Sequence, residues 1–235
     1  MILGITGRMA AGKSTVADAL VARHGFVAVS LADEMKRCTA SIYDFTEEQL
    51  WGPSEKRNAP DKRYPRSHSW KDLGGGDRRC LCCGLTWEFD EPYGEPQCYL
   101  TPRYALQLLG TEYGRHCFED TWVRRTLDVV GPIVEFNGDY DKVTGLCEPA
   151  AFRIKGVVIP DLRYDNEAKA IHAAGGWIVK KTGGPSDDAA VTHTSEAGID
   201  SSLIDFTLSW WENPADAGRD VEIKTMLEQL KGKRT

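Results

Sequence analysis

Gly7-Arg8-Met9-Ala10-Ala11-Gly12-Lys13-Ser14, with Thr15 next, stands between the apolar run Ile2-Leu3-Gly4-Ile5-Thr6 and a segment carrying Val16, Ala19 and Leu20 at helical spacing. The octet satisfies G-x-x-x-x-G-K-[ST], and a strand before it and a helix after it are the context that this motif requires. Its glycines let backbone N–H groups turn inward around a phosphate chain, and the helix N-terminus adds positive dipole. Lys13 then reaches the transferring phosphate, and Ser14 holds magnesium. ATP with Mg2+ is therefore the expected ligand of Gly7, Ala10, Ala11, Gly12, Lys13, Ser14 and Thr15. The motif alone does not separate a kinase from a GTPase, a motor or a regulator.

Strand and helix signals continue to alternate outward from this loop. Residues 26–30 (FVAVS) read as a second strand after the Gly25 stop, and 31–40 begin a second helix. Further on, 157–159 (VVI) make a buried strand ending at Pro160-Asp161, and a helix over about 165–174 stops at Gly175-Gly176. Residues 177–181 form the next strand; a polar loop with His193-Thr194-Ser195-Glu196, a lid or a capped turn, leads to a last strand near 206–208 and a terminal helix over 221–230. This alternation, around the P-loop, predicts an α/β fold of three layers with a central parallel sheet flanked by helices. Between about 53 and 98 the periodicity breaks around Pro53, Pro60, Pro65, Pro92, the Gly74-Gly75-Gly76 run and a cysteine cluster. We expect a single domain, 1–235, with 53–100 inserted in it as a cysteine-rich substrate-side segment. Thr101-Pro102 then starts a helix with Tyr104, Leu108 and Leu109 inward, 120–130 start another, and 131–150 form a smaller excursion.

Composition narrows the function classes. The 235 residues are 41% hydrophobic and 27% charged, with no apolar run long enough for a membrane span. The N-terminal MILGITGR lacks the pattern of a signal peptide, so a cytoplasmic location is expected, that of the host for a phage-encoded chain. A net charge of −6 argues against broad contact with a nucleic-acid backbone. Small nucleotides are the expected partners, with no membrane, no expected nucleic acid, and a homodimer among the open assemblies.

On the acceptor side, Asp33 lies just past the second strand, near the sheet edge where such folds gather ligands. It would orient an acceptor oxygen or a magnesium-bound water, or simply start a helix. Lys36 and Arg37 follow one turn later and suit an anion or a solvated surface. Arg103, Gln107, Gly110, Thr111 and Arg115 run along one helix, where Arg103 and Gln107 share a face. Such a face would serve a phosphate and a base, arginine being the better clamp through its planar fork, or it would lie exposed. Asp161 ends an apolar strand, where an acid for magnesium is common, with Arg163, Asn166 and Glu167 close behind; an ordinary helix start is the alternative.

Seven cysteines in a chain with no export signal do not read as a disulfide framework. Cys80-Leu81-Cys82-Cys83-Gly84 contains C-x-x-C-G, in which two thiolates converge on one metal and the glycine permits the turn behind them. Cys98, His68 and the spare Cys82 are candidates to complete it; the expected structural Zn2+ set is Cys80, Cys83, Cys98 and His68, against free thiols in a surface loop. Large aliphatic residues are few here, so a metal would supply what the core lacks.

Assembled, these pieces resemble the bacteriophage-type deoxynucleoside monophosphate kinases of the P-loop nucleoside monophosphate kinase superfamily. The matching pieces are GITGRMAAGKST, SLADEMK, TPRYALQLLGTEYGR followed by Trp122, VVIPDLRYDNEA, and HTSEAGID with Asp205. The resemblance implies transfer of the γ-phosphate of ATP to a (deoxy)nucleoside 5′-monophosphate, with magnesium. Lys13, Asp33, Arg103 and Arg163 are implied as catalytic. Asp33, Lys36, Arg103, Gln107, Thr111, Arg115, Trp122, Arg163 and Glu167 are implied around the substrate, and Asp161 beside ATP and magnesium. The cysteine-rich segment, Pro160 before Asp161, and Trp210-Trp211 depart from the family pattern. A P-loop kinase for dephospho-coenzyme A or for a modified pyrimidine nucleotide or base is the alternative within enzymes, and a nucleotide-dependent binding protein the alternative outside them.

Overall fold

Ile2–Thr6 forms β1, buried along all but its first residue, and α1 (Lys13–His24) turns Val16, Ala17 and Leu20 inward before ending on Gly25 at φ 71°. The computed structural model describes residues 1–8, 11–87, 97–150, 153–183, 198–209 and 216–233. Met9, Ala10, Pro92, His193-Thr194-Ser195-Glu196 and Trp210-Trp211, singled out in the sequence, lie outside the described residues. After α1 come β2 (Phe26–Ala28) and α2 (Asp33–Tyr43). A capping box between Thr46 and Gln49 starts α3 (Glu47–Trp51), and α4 (Ser54–Asn58) follows Pro53. The strands β3 (Asp61–Arg66), β4 (Trp70–Gly74), β5 (Asp77–Cys80), β6 (Thr86–Trp87) and β7 (Cys98–Leu100) come next. Then α5 (Pro102–Gln107) passes into a π-helical stretch, Leu108–Arg115, and α6 (Thr121–Phe136) leads to the hairpin of β8 (Gly138–Tyr140) and β9 (Cys147–Pro149). The chain closes with β10 (Gly156–Ile159), α7 (Asp165–Ala173), β11 (Trp177–Lys181), β12 (Phe206–Leu208) and α8 (Asp216–Gly232).

Two compact units result, one of Met1–Glu34 with Glu119–Thr235, the other Met35–Phe118. In the first, five parallel strands stand in the order β12-β11-β1-β10-β2. The apolar runs of the sequence are these strands, and they lack polar alternation because both faces are covered. Val157 and Ile159 of β10 pack with Val130, Ile133 and Ile171 of α6 and α7, while Val158 joins Leu3, Ile5, Leu20, Ile223 and Leu230 on the side of α1 and α8. The central parallel sheet flanked by helices is thus present. Its middle strand is β1, so the glycine loop leaves the sheet at its centre.

The second unit holds a β3-β7 pair and a separate β4-β5-β6 sheet, all antiparallel. Only Trp70 of β4 is shielded at all, which is why no alternation marked this strand in the sequence. Two helices depart from expectation. Leu108 is 40% exposed, where an inward position was expected, because i→i+5 bonding changes the helical phase beyond Gln107. Gly110 takes the buried place instead, so close to Met35 that a Cβ there would lie 2.7 Å from its Sδ. The helix expected over 120–130 runs on through Pro132 to Phe136, because buried Val130 and Ile133 hold it across the N–H that proline lacks. Among the described residues, no helix is long and apolar enough to cross a membrane.

Candidate functional site

The loop after β1 is shaped by two glycines with positive φ, Gly7 at 147° and Gly12 at 87°. At Gly7 the requirement is also steric, since a Cβ would fall 2.3 Å from the carbonyl oxygen of Lys181. Gly12 caps α1 without any side-chain hydrogen bond, and Ala11 closes the loop through its N–H to the Arg8 carbonyl at 3.2 Å. Lys13 donates to the carbonyls of Gly7 at 2.6 Å and Arg8 at 2.7 Å, so its ammonium lies against the start of the loop. Ser14 is exposed and Thr15 half-buried at the start of α1.

Lys181 was not anticipated. It is 1% exposed at the end of β11, its Cε would stand 3.9 Å from a Cβ placed on Gly12, and its ammonium donates to the Thr182 carbonyl. Nothing in its strand-end position distinguished it in the sequence.

Asp161 follows β10 and accepts from Ser30 Oγ at 2.5 Å, Leu31 N at 3.0 Å and Ala32 N at 3.2 Å. Asp33, 3% exposed at the start of α2, accepts from Ser30 N at 3.0 Å. The two carboxylates therefore hold one turn, residues 30–33, from both sides. Glu167 is buried in a capping role, its Oε2 accepting from the N–H of Arg163 at 2.7 Å and of Tyr164 at 3.1 Å. The Arg163 side chain is exposed, and Trp122 is half-buried in the first turn of α6.

In the second unit, Thr101 caps α5 by accepting from Tyr104 N at 3.2 Å, and the next helical position presents Arg103 to solvent. Arg103 Nε donates to Asn58 Oδ1 at 2.5 Å. Arg57, next to that asparagine, donates to the carbonyls of Leu50 and Gly52 and to Ser54 Oγ. Burial and the positive charge of Arg103 hold the Arg57 guanidinium below its ordinary pKa. Among the described residues neither arginine has a carboxylate partner. Arg57, also unanticipated, completes with Arg103 a local excess of positive charge that an anion would relieve.

Gln107 and Thr111 are exposed, Arg115 is half-buried, and Lys36 lies 5.4 Å from the Trp51 ring centroid. A cavity of about 400 Å³ opens one position further along the helix, lined by Leu108, Leu109, Glu112 and Tyr113 with Thr39, Ile42, Tyr43, Arg66, Leu100 and Ala105. That volume suits a small organic ligand.

His68, Cys80, Cys83 and Cys98 come together, with one donor atom from each lying within 4.8 Å of all the others. Cys82 does not join them, because its thiol donates to the Tyr99 carbonyl at 3.2 Å. Burial pushes the Cys80 thiol up, yet the N–H of Cys83, the His68 ring and the N–H groups of Ser69 and Cys82 outweigh it, leaving a pKa of about 6. Cys98 and Cys83 are both pushed above the ordinary thiol range by burial and by sulfur neighbours.

These features define a parallel α/β protein whose central strand feeds a glycine-bounded loop and a lysine. The chain is 27% identical over 209 residues to a protein of Acanthamoeba polyphaga mimivirus named "Putative deoxynucleotide monophosphate kinase", the match covering 86% of this chain and 83% of that one. No protein-family model matches the chain.

Proposed function

We propose that this chain is an ATP-dependent P-loop kinase of the deoxynucleoside monophosphate type, moving the γ-phosphoryl group of ATP to a 5′-monophosphate. The observation that carries the reading is Lys13 held on the Gly7 and Arg8 carbonyls, in a segment bounded by Gly7 and Gly12 at the end of the central parallel strand. Backbone N–H groups of that loop and of the first turn of α1 bind the β- and γ-phosphates, and Lys13 follows the transferring group. The name of the mimiviral relative supports the same reaction class.

Ser14 and Asp161 offer hard oxygen donors, and both side chains reach solvent, which fits magnesium. Bound there, Mg2+ would neutralise charge on the phosphate oxygens. Asp161 and Asp33 both accept hydrogen bonds from the 30–33 turn, and Asp33 would orient an acceptor oxygen. In the second unit, Arg57 and Arg103 take the acceptor monophosphate, and the cavity along Leu108 and Glu112 takes its base. Lys36, Gln107, Thr111, Arg115, Trp122, Arg163 and Glu167 complete the proposed surroundings, Glu167 by fixing the backbone of Arg163.

The test is release of ADP from ATP and Mg2+ with a panel of deoxynucleoside and ribonucleoside monophosphates and dephospho-coenzyme A. We expect acceptor-dependent release with at least one deoxynucleoside monophosphate. Binding of ATP with no acceptor-dependent release would favour a binding protein and overturn the reading, and a response to dephospho-coenzyme A alone would replace the acceptor class.

A further inference from the structure

We infer that His68, Cys80, Cys83 and Cys98 form a closed tetrahedral site for one zinc ion, which ties the two small sheets of the Met35–Phe118 unit together. The inference does not depend on the activity proposed above.

The spacing of the donor atoms is the first support. A tetrahedral zinc with Zn–S of about 2.3 Å and Zn–N of about 2.0–2.1 Å requires sulfur–sulfur edges of about 3.8 Å and sulfur–nitrogen edges of about 3.6 Å. Cys80 Sγ lies 3.9 Å from Cys98 Sγ, and Cys83 Sγ lies 3.7 Å from His68 Nδ1. A disulfide would instead bring its sulfurs to about 2.05 Å.

The surroundings are built for ligation. Cys80 and Cys98 are each 1% exposed, and the backbone about the turn is fixed by the Leu81 N–H donating to the Ser69 carbonyl at 2.8 Å and the Gly84 N–H donating to the Cys80 carbonyl at 3.0 Å. The His68 ring stacks on Trp70 at 4.5 Å with 17° between planes, and Trp70 carries the Arg78 guanidinium on its face at 5.0 Å, so the imidazole is fixed in orientation. Gly84, at φ 76°, makes the turn behind Cys83. A recess lined by His68, Cys83, Gly84, Leu85 and Gln97 leads to the ligands from the surface.

The position of the site says what it does. His68 precedes β4, Cys80 ends β5 and Cys98 begins β7, so one ion joins β4-β5-β6 to β3-β7, which share no ladder. Among the described residues, the buried apolar cluster of this unit is Phe45, Leu50, Cys80, Cys82, Cys98, Leu100 and Ala105. Two of these are proposed ligands, and so small a core gains much from a metal bound in the folded state alone. With three thiolates and one imidazole the coordination is complete, which leaves no open position for catalysis and makes the ion structural.

The 235-residue chain, purified without added metal and without a metal-affinity tag, should hold about one equivalent of zinc by elemental analysis. Its cobalt-exchanged form should show thiolate-to-cobalt charge transfer and the visible bands of tetrahedral cobalt. Cys98→Ser should weaken zinc, measured by chelator competition, by about a hundredfold or more, while Cys82→Ser keeps the full equivalent. Absence of zinc and of the cobalt spectrum in the wild-type chain, with Cys80 and Cys83 freely alkylated, overturns the site; this readout stands even where Cys98→Ser does not fold. Loss of zinc in Cys82→Ser with retention in Cys98→Ser overturns the ligand set.

Discussion

The hydroxyl of Thr101 donates to the carbonyl of Cys82 at 3.1 Å while accepting the amide of Tyr104 at 3.2 Å, so the cysteine turn and the first turn of α5 share one side chain. Because Arg103 sits on that first turn, the Thr101 hydroxyl helps to set its position. Thr101→Val keeps the shape and removes both hydrogen bonds. Loss of the cap costs about 1 kcal/mol, with a further cost where the Cys82 carbonyl stays unpaired. We expect a lower melting temperature and a higher KM for the monophosphate with that for ATP unchanged, and rescue of both by Thr101→Ser. An unchanged melting temperature would show that the hydroxyl does not hold the helix start.

Arg57 and Arg103 share positive charge without a carboxylate between them. Hydrogen bonds to a charged group contribute roughly 1.5–3 kcal/mol, so either alanine variant should raise the monophosphate KM by about tenfold or more. The KM for ATP should move less than about twofold. Arg57→Lys should recover part of the loss, since it restores charge without the planar fork. Equal increases for both substrates would remove these arginines from the acceptor site.

At the loop, Lys13→Ala should lower turnover by about a thousandfold or more, ~4 kcal/mol of transition-state stabilisation, with circular dichroism unchanged. Asp33→Asn should lower kcat more than it weakens ATP binding. Lys181→Met replaces a buried ammonium by an apolar chain of similar length, and we expect it to raise the KM for ATP several-fold without loss of stability. Unchanged kinetics in that variant would confine Lys181 to packing beneath the loop.

What could be read from the chain was local. The glycine loop announced itself because motif, preceding strand and following helix are contiguous, and the short apolar stretches at 157–159 and 177–179 lie in strands of a sheet covered on both faces. Cys80 and Cys83 were legible as one half of a knuckle. Which of Cys82, Cys98 and His68 stand with them was not, because the choice turns on the Cys82 thiol finding the Tyr99 carbonyl. Arg57 was invisible for the same kind of reason: it sits in a five-residue helix without a motif, and its relation to Arg103 exists only after the chain folds back. The π-helical stretch Leu108–Arg115 was not read either: Gly110 and Gly114 weaken a helix there, but their presence does not say that the bonding shifts to i→i+5.

Asp61 gives a pH dependence whose sign can be worked out. It is 8% exposed in β3, its Oδ1 accepts from Arg63 N at 3.1 Å and Arg63 Nε at 3.0 Å, and its Oδ2 accepts from Arg63 Nη2 at 2.7 Å and Gln49 Nε2 at 3.1 Å. The Arg63 side chain first, with Gln49 and the Arg63 amide, outweighs burial and holds the Asp61 carboxyl well below the usual carboxylate range. Its unfolded value is about 3.9, so the ionised form is favoured by folding. The stability it contributes is complete above that value and is lost as pH falls through the lower folded pKa. Asp61→Asn cannot titrate and has no such term. The difference in melting temperature between wild type and Asp61→Asn should therefore stay constant from neutral pH to about 5 and shrink below about 4. Other groups, the proposed zinc ligands included, protonate in both chains alike and drop out of the difference. A difference that holds steady down to pH 2 would show that the Asp61–Arg63 pair adds nothing through its charge.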